Sequence, residues 1–154
     1  MVLLGRDVRL RLTQDQGGKR IELVDGVLIC RSPVPGISLP KFLQEEIRSY
    51  VMDKVAVFSE RIHVSYASIR IKKTRSRWGS CSQKGDLSFQ WKLIFAPLAI
   101  LDYVIAHEVC HLKHFNHSPA FWAQVMALDP DFQAHRRWLR THGDGLLAYF
   151  SEGS

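Results

Sequence analysis

His107-Glu108-Val109-Cys110-His111 sets two imidazoles four positions apart, with a carboxylate next to the first. In a helix, residues four apart lie one turn apart on the same face, so both rings can reach one Zn²⁺. Glu108 sits about 100° round from His107 but neighbours His111 three positions on. It can therefore approach water on the ion without being a ligand, which is where a general base for hydrolysis must stand. Chance would place this pattern in about 1% of chains of this length and composition. The plainer reading is a solvated helix face with two ordinary histidines. It fits badly, because Val104, Ile105, Val109 and Leu112 make the segment apolar nearly all round, and a buried glutamate needs a partner.

A catalytic zinc takes a third protein ligand and keeps a fourth position open. After Glu108 the only glutamate is Glu152, so a glutamate from a downstream helix, as in thermolysin-type sites, is nearly excluded. His114 and His117 are the main candidates, with Asp129 and Asp131 as lesser alternatives. His114 would lie a further turn along the helix, and bonds of about 2 Å hardly span three consecutive turns. His117 falls just past the expected helix end at Phe115-Asn116, where a reversing chain could swing it back over the ion. Its spacing matches that of metzincins, although His114 stands where they carry glycine and no Met-turn is evident. The spacing favours His117, leaving His114 as an outer or surface residue.

The elements that must hold these groups are readable from periodicity. Val8, Leu10 and Leu12 alternate with Arg9 and Arg11 in a strand pattern, and Gly17-Gly18 marks a turn. Strands over 21–24 and 27–30 flank Asp25-Gly26, a two-residue hairpin signal. Ser32-Pro33-Val34-Pro35-Gly36 reads as a loop, and 39–58 as a helix. Residues 68–72 alternate again, 78–82 is a candidate strand, and Leu87, Phe89, Trp91 and Leu93 alternate with Ser88, Gln90 and Lys92. Beyond Pro97 the chain turns helical: one helix over 98–114, one opened by Ser118-Pro119 and running to about 128, and one over 130–142 stopped by Gly143. Strands first and helices last predict the α+β class in one domain over 1–154, with 144–154 as a flexible tail.

The motifs carry a resemblance. Arg75-x-Arg77-Trp78-Gly79-Ser80-Cys81, Leu93-Ile94-x-x-Pro97, Asp102-Tyr103-Val104-Ile105-x-His107-Glu108-x-x-His111-Leu112 and Asn116-His117-Ser118-x-x-Phe121-Trp122 resemble the YgjP-like zinc metallopeptidase family. Pro130-Asp131-Phe132 and Trp138-Leu139-Arg140-x-His142-Gly143 continue the likeness, which covers about 61–143 closely and the N-terminal strands more loosely. The family is related to the SprT-like and WLM metallopeptidases, some of which digest proteins crosslinked to DNA. The resemblance implies a zincin-like fold: an N-terminal antiparallel β-sheet with one helix, then an active-site helix and two C-terminal helices. It also implies zinc on His107, His111 and His117, with Glu108 as catalytic base. Family members are commonly longer at the N-terminus, so this chain is expected to begin partway through the pattern, near Leu3-Leu4-Gly5-Arg6.

Charge and composition narrow the function classes. The 154 residues carry a net charge of +6, with 46% hydrophobic and 23% charged residues, which are values of a folded domain. The excess is local: residues 61–92 hold eight bases (Arg61, Arg70, Lys72, Lys73, Arg75, Arg77, Lys84, Lys92) against Asp86 alone. On strands such charge is commonly solvated and guards sheet edges. Arg75, Arg77 and Trp78 stand apart as candidate substrate-binding residues, able to read carboxylates of an extended peptide or to grip phosphates. Phe89 and Trp91 alternate inward and read as core. Oxyanion stabilisation could come from Arg75, Arg77, Tyr103, His114, His135 or His142. Cys30, Cys81 and Cys110 are odd in number and form no CxxC pair, which favours reduced thiols and a cytoplasmic setting. No signal peptide or membrane span is expected.

The expected function is a zinc-dependent metallopeptidase acting on peptide or protein substrates. A metal-dependent hydrolase of a phosphate anhydride such as a nucleoside triphosphate is the alternative from the same site. A nucleic-acid-binding module with a structural metal is the third, and three histidines beside a glutamate argue against it, since structural zinc usually takes four protein ligands.

Overall fold

The computed structural model describes residues 2–13, 21–31, 35–73 and 77–148. The Gly17-Gly18 turn, the start of the 32–36 loop, Arg75 and the last residues of the expected tail lie outside the described residues. Strands β1 (Val2–Leu3), β2 (Arg6–Asp7), β3 (Arg9–Thr13), β4 (Ile21–Val24) and β5 (Val27–Arg31) precede helix α1 (Pro35–Ile62). Then come β6 (Ser68–Lys72), β7 (Gly79–Cys81), β8 (Asp86–Gln90), a 3₁₀ turn over Trp91–Phe95, and helices α2 (Leu98–His111), α3 (Pro119–Leu128) and α4 (Phe132–Leu147). The strands-then-helices order of an α+β protein is present as expected.

Asp25 (φ 49°) and Gly26 (φ 75°) both adopt the left-handed conformation that a two-residue hairpin turn requires, and β4 pairs antiparallel with β5 across them. The sheets are nevertheless mixed rather than antiparallel throughout. In each three-stranded sheet the last strand inserts between the other two, giving the orders β3-β5-β4 and β6-β8-β7. The inserted strand runs antiparallel to its sequence neighbour and parallel to the other: β3 with β5, and β6 with β8. Strand β7 is thereby left on an edge.

Helix α1 buries Leu43, Ile47, Val51, Val55, Phe58 and Ile62, one residue per turn, each worth about 1.5–3 kcal/mol on burial. That stripe faces α2, which is buried nearly all round: Ile100, Leu101, Val104, Ile105, Ala106, Val109 and Cys110 are all within the core. Tyr50 Oη of α1 donates to Asp102 Oδ1 of α2 at 2.6 Å, and Lys54 Nζ lies 3.6 Å from the other carboxylate oxygen. The central helix is thus fixed both in depth and in rotation. Ser118 Oγ accepts from Phe121 N at 3.2 Å and Pro119 opens α3, as the capping signal predicts.

Several sequence expectations need correction, and Pro35-Gly36, read as loop, already belongs to α1. The strand expected to run through Leu93 stops at Gln90, and Trp91–Phe95 is a fully buried 3₁₀ turn. Lys92 is therefore not a solvated strand residue. It is 7% exposed, and its Nζ donates to the Leu147 carbonyl at 2.7 Å, satisfying one of the orphan acceptors at the end of α4. Gly143 does not end the last helix, which continues through Leu147, so residues 144–147 are helix and not tail. A Cβ at Gly143 would come within 2.8 Å of Trp78 Cζ2, so this glycine serves a close helix–strand approach.

Asp86 ties the β6–β8 pair together. Ser68 Oγ donates to its Oδ1 at 2.7 Å and Ser82 Oγ to its Oδ2 at 3.3 Å, and the Ser68 bond chiefly holds the carboxyl below its usual range. A carboxyl depressed by folding stabilises the fold above its ordinary pKa, and that contribution is lost as pH falls through the folded value. Ser68→Ala is expected to move the Asp86 titration up towards the ordinary value and to weaken acid resistance. A carboxyl-detected NMR titration checks this, and an unmoved Asp86 would contradict it.

Candidate metal centre

His107 and His111 occupy the last two turns of α2 and point the same way because they are one turn apart. The helix ends at His111, and the chain reverses through His114, whose N–H is held by the Cys110 carbonyl at 3.0 Å. This reversal carries His117 back over the helix end. His117 Nε2 then lies 3.1 Å from His111 Nε2 and 3.4 Å from His107 Nε2. Ligand nitrogens around a tetrahedral zinc, each bonded at about 2.0–2.1 Å, stand roughly 3.3 Å apart. The three rings therefore fit one ion, and all their ligand atoms fall within 4.8 Å of one another.

The hydrogen bonds agree with that use. His111 Nδ1–H donates to the His114 carbonyl at 3.0 Å, so its Nε2 carries a lone pair. Tyr103 Oη lies 3.4 Å from His107 Nδ1 and stands in the corresponding place for the other helix ligand. Burial pushes the His107 imidazolium down to about 3, with help from His111, His117 and Arg136, and burial also lowers His111. Both helix rings thus favour the neutral form, the one a metal ligand needs. The rings are also held by stacking: His111 on Phe121 at 4.4 Å and His117 on Trp122 at 5.7 Å between centroids. Trp122 in turn stacks on Phe132 and carries the Arg136 guanidinium over its ring.

Glu108 is 6% exposed, and its Oε1 lies 3.7 Å from His107 Nε2. Burial pushes its carboxyl up to about 8, against the pull of the Arg77 charge, and a divalent cation beside it would bring that value down. Its seat is made by β7. A Cβ on Gly79 would stand 2.8 Å from Glu108 Cγ and 3.2 Å from Cδ, so only glycine lets the strand close over the carboxylate stem. Gly79→Ala is accordingly expected to displace Glu108, lowering kcat by at least tenfold while metal content is retained. Metal analysis alongside steady-state kinetics tests this, and unchanged kcat would refute the close seat.

The remaining site residues separate. Arg77 is exposed with its charge felt at Glu108, and Trp78 is half-buried against Gly143. His114 contributes its carbonyl to His111. Asp129 Oδ2 is 2.6 Å from His135 Nδ1, and Asp131 is exposed at the start of α4, so neither aspartate joins the three nitrogens. His142 Nδ1 is engaged with the Trp138 carbonyl at 3.1 Å. Of the possible oxyanion donors, Tyr103 has its hydroxyl 3.4 Å from His107 Nδ1 and its ring 6.5 Å from that of His135. Of the described basic block, Arg61 bonds the Ala127 carbonyl, Lys92 bonds that of Leu147, and the charges of Arg70 and Lys84 act on Asp86. One contact escapes the sequence reading: the closure of Gly79 over Glu108, whose only sequence signal is a lone glycine beside a strand.

A family model described as YgjP-like, metallopeptidase domain, matches residues 1–142. Among solved structures, the zymogen of the metallopeptidase abylysin from Pyrococcus abyssi aligns with a TM-score of 0.53 and 21% identity, over 61% of this chain and 93% of that one. At that identity the likeness is one of fold. No curated protein matches the chain. No helix among the described residues is long and apolar enough to cross a membrane.

Proposed function

Since the chain belongs to the YgjP-like metallopeptidase domain family, we propose that it is a zinc-dependent peptidase of the H-E-x-x-H type, with His107, His111 and His117 as ligands and Glu108 as general base. The observation that carries this reading is the convergence of three imidazole Nε2 atoms beside a buried glutamate. Zinc supplies Lewis acidity there, polarising the scissile carbonyl and making water acidic near neutral pH. Glu108 accepts a proton from the attacking water on its carboxylate and passes it to the departing amine, so that the peptide C–N bond breaks as the C–O bond forms. The Gly79 contact and burial hold that carboxylate in one place. Tyr103 and the His114 carbonyl fix the ring orientations of His107 and His111. Strand β7, an edge strand packed on α2, offers free backbone groups along which an extended peptide can lie.

The protein acts in this reading as one domain over 1–154 on peptide or protein substrates. The free thiols of Cys81 and Cys110 suit a reducing, cytoplasmic compartment. The test is metal removal and return. Purified protein is expected to hold one equivalent of zinc and to cleave an unfolded protein substrate. Chelation abolishes cleavage and zinc restores it. Protein that takes up no zinc with its histidines intact would overturn the proposal, as would turnover of nucleoside triphosphates in place of peptide.

A further inference from the structure

A cavity of about 240 Å³ opens between the start of β7 and the outer face of α4, lined by Arg77, Trp78, Leu139, Arg140, Gly143 and Asp144 among others. Both of its arginines are exposed, and neither guanidinium has a hydrogen bond or ion pair within the described residues. The Trp78 ring is held against Gly143, giving the cavity a flat apolar side. It adjoins the seat of Glu108 through the chain itself: Trp78 of its wall is followed directly by Gly79, where a Cβ would stand 2.8 Å from Glu108 Cγ. Such a cavity suits a group with an apolar stem and a planar anionic end, because guanidinium forks match carboxylates and the stem can lie on an aromatic face.

We propose that this cavity binds one carboxylate of the peptide substrate, that of a glutamate or aspartate side chain near the scissile bond, between Arg77 and Arg140 with its stem against Trp78. The proposal deepens the peptidase reading and rests on it for the identity of the ligand. Asp144 on the same wall limits the excess positive charge to about one, which suits a single carboxylate better than a row of phosphates. Arg140 thus joins Arg77 in setting specificity, from an element distant in sequence.

The test uses zinc-loaded protein and fluorescein-labelled peptides that differ only by Glu, Gln or Lys at each position of one scanned sequence, with free or amidated C-termini. Binding is read by anisotropy on Glu108→Gln protein, and cleavage on the unaltered protein. At one position Glu is expected to bind and be cleaved about tenfold better than Gln. Arg140→Gln and Arg77→Gln should each collapse that ratio towards one, and Arg140→Glu should turn it towards Lys. Peptides cleaved with no Glu preference would overturn the pocket while leaving the peptidase standing. Preference for any free C-terminus, lost on amidation, would overturn the side-chain assignment. An oligonucleotide that binds through the same arginines, outcompetes the peptides and weakens steeply with salt would overturn it in favour of nucleic acid. If no peptide is cleaved but Glu-dependent binding persists and needs both arginines, the peptidase reading falls and the carboxylate pocket stands.

Discussion

Glu108→Gln protein is expected to keep a full equivalent of zinc and to lose about 10²–10⁴-fold in kcat, the usual worth of a general base. The substitution is nearly isosteric, so the stem still fits beneath Gly79, and it touches none of the three imidazoles. Glutamine has no carboxylate to take the proton from water, nor one to return to the amine, so the loss falls on turnover and spares substrate affinity. The KM-against-kcat split is therefore informative: a mainly raised KM would mean that Glu108 binds substrate and does not move protons. Full activity in this variant would remove Glu108 from the chemistry. Because the carboxyl is 6% exposed, rescue by small carboxylates from solution is not expected.

His117→Ala is expected to weaken zinc binding by more than the roughly 10–100-fold that loss of an outer hydrogen-bond partner costs, because a ligand itself is removed. His117 is exposed, lies in the loop before α3 and stacks on the half-buried Trp122, so the fold should tolerate the change better than loss of His111, whose ring stacks on the fully buried Phe121. Zinc at about 100 times its dissociation constant stabilises the native protein by about 2.7 kcal/mol. For a chain of this size that is a rise in Tm of roughly 5–10 °C. The variant should show no such rise at the same zinc concentration, together with loss of peptidase activity. If His114→Ala behaved this way and His117→Ala did not, the ligand assignment would be reversed.

How much of this was legible in the sequence depends on how local each feature is. The His107/His111 pair follows from helical pitch, and His117 from a bond-length argument, because both questions concern one short stretch of chain. The hairpin at Asp25-Gly26 and the cap at Ser118-Pro119 are equally local, and both are present. The misreadings concern residues whose role is set by distant partners. Gly143 carries a stop signal, yet the Trp78 ring, just ahead of β7, is what requires it. Lys92 continues an alternating pattern, yet the carbonyls at the end of α4 draw its ammonium into the interior. The parallel pairing of β6 with β8 is invisible to periodicity, since alternation marks which face is buried and not which strand is the neighbour. Arg140 carries no local signal of a role, because it shares a cavity with Arg77 only once Trp78 has come to rest against Gly143 of α4.

The same contrast bears on the order in which the site is assembled. All three converging imidazoles come from residues 107–117, and a loop of about ten residues closes in roughly 10–100 ns. The seat of Glu108 also needs β7 in place; β7 pairs locally with β8, but its packing on α2 brings Gly79 to Glu108 across a much longer stretch of chain, and such longer-range contacts form more slowly. On the proposed reading, a partly folded chain would therefore bind an ion before Glu108 is seated beside it. A nascent or partly unfolded molecule would then carry metal without the proposed base aligned, and hydrolysis would wait for the strand to close.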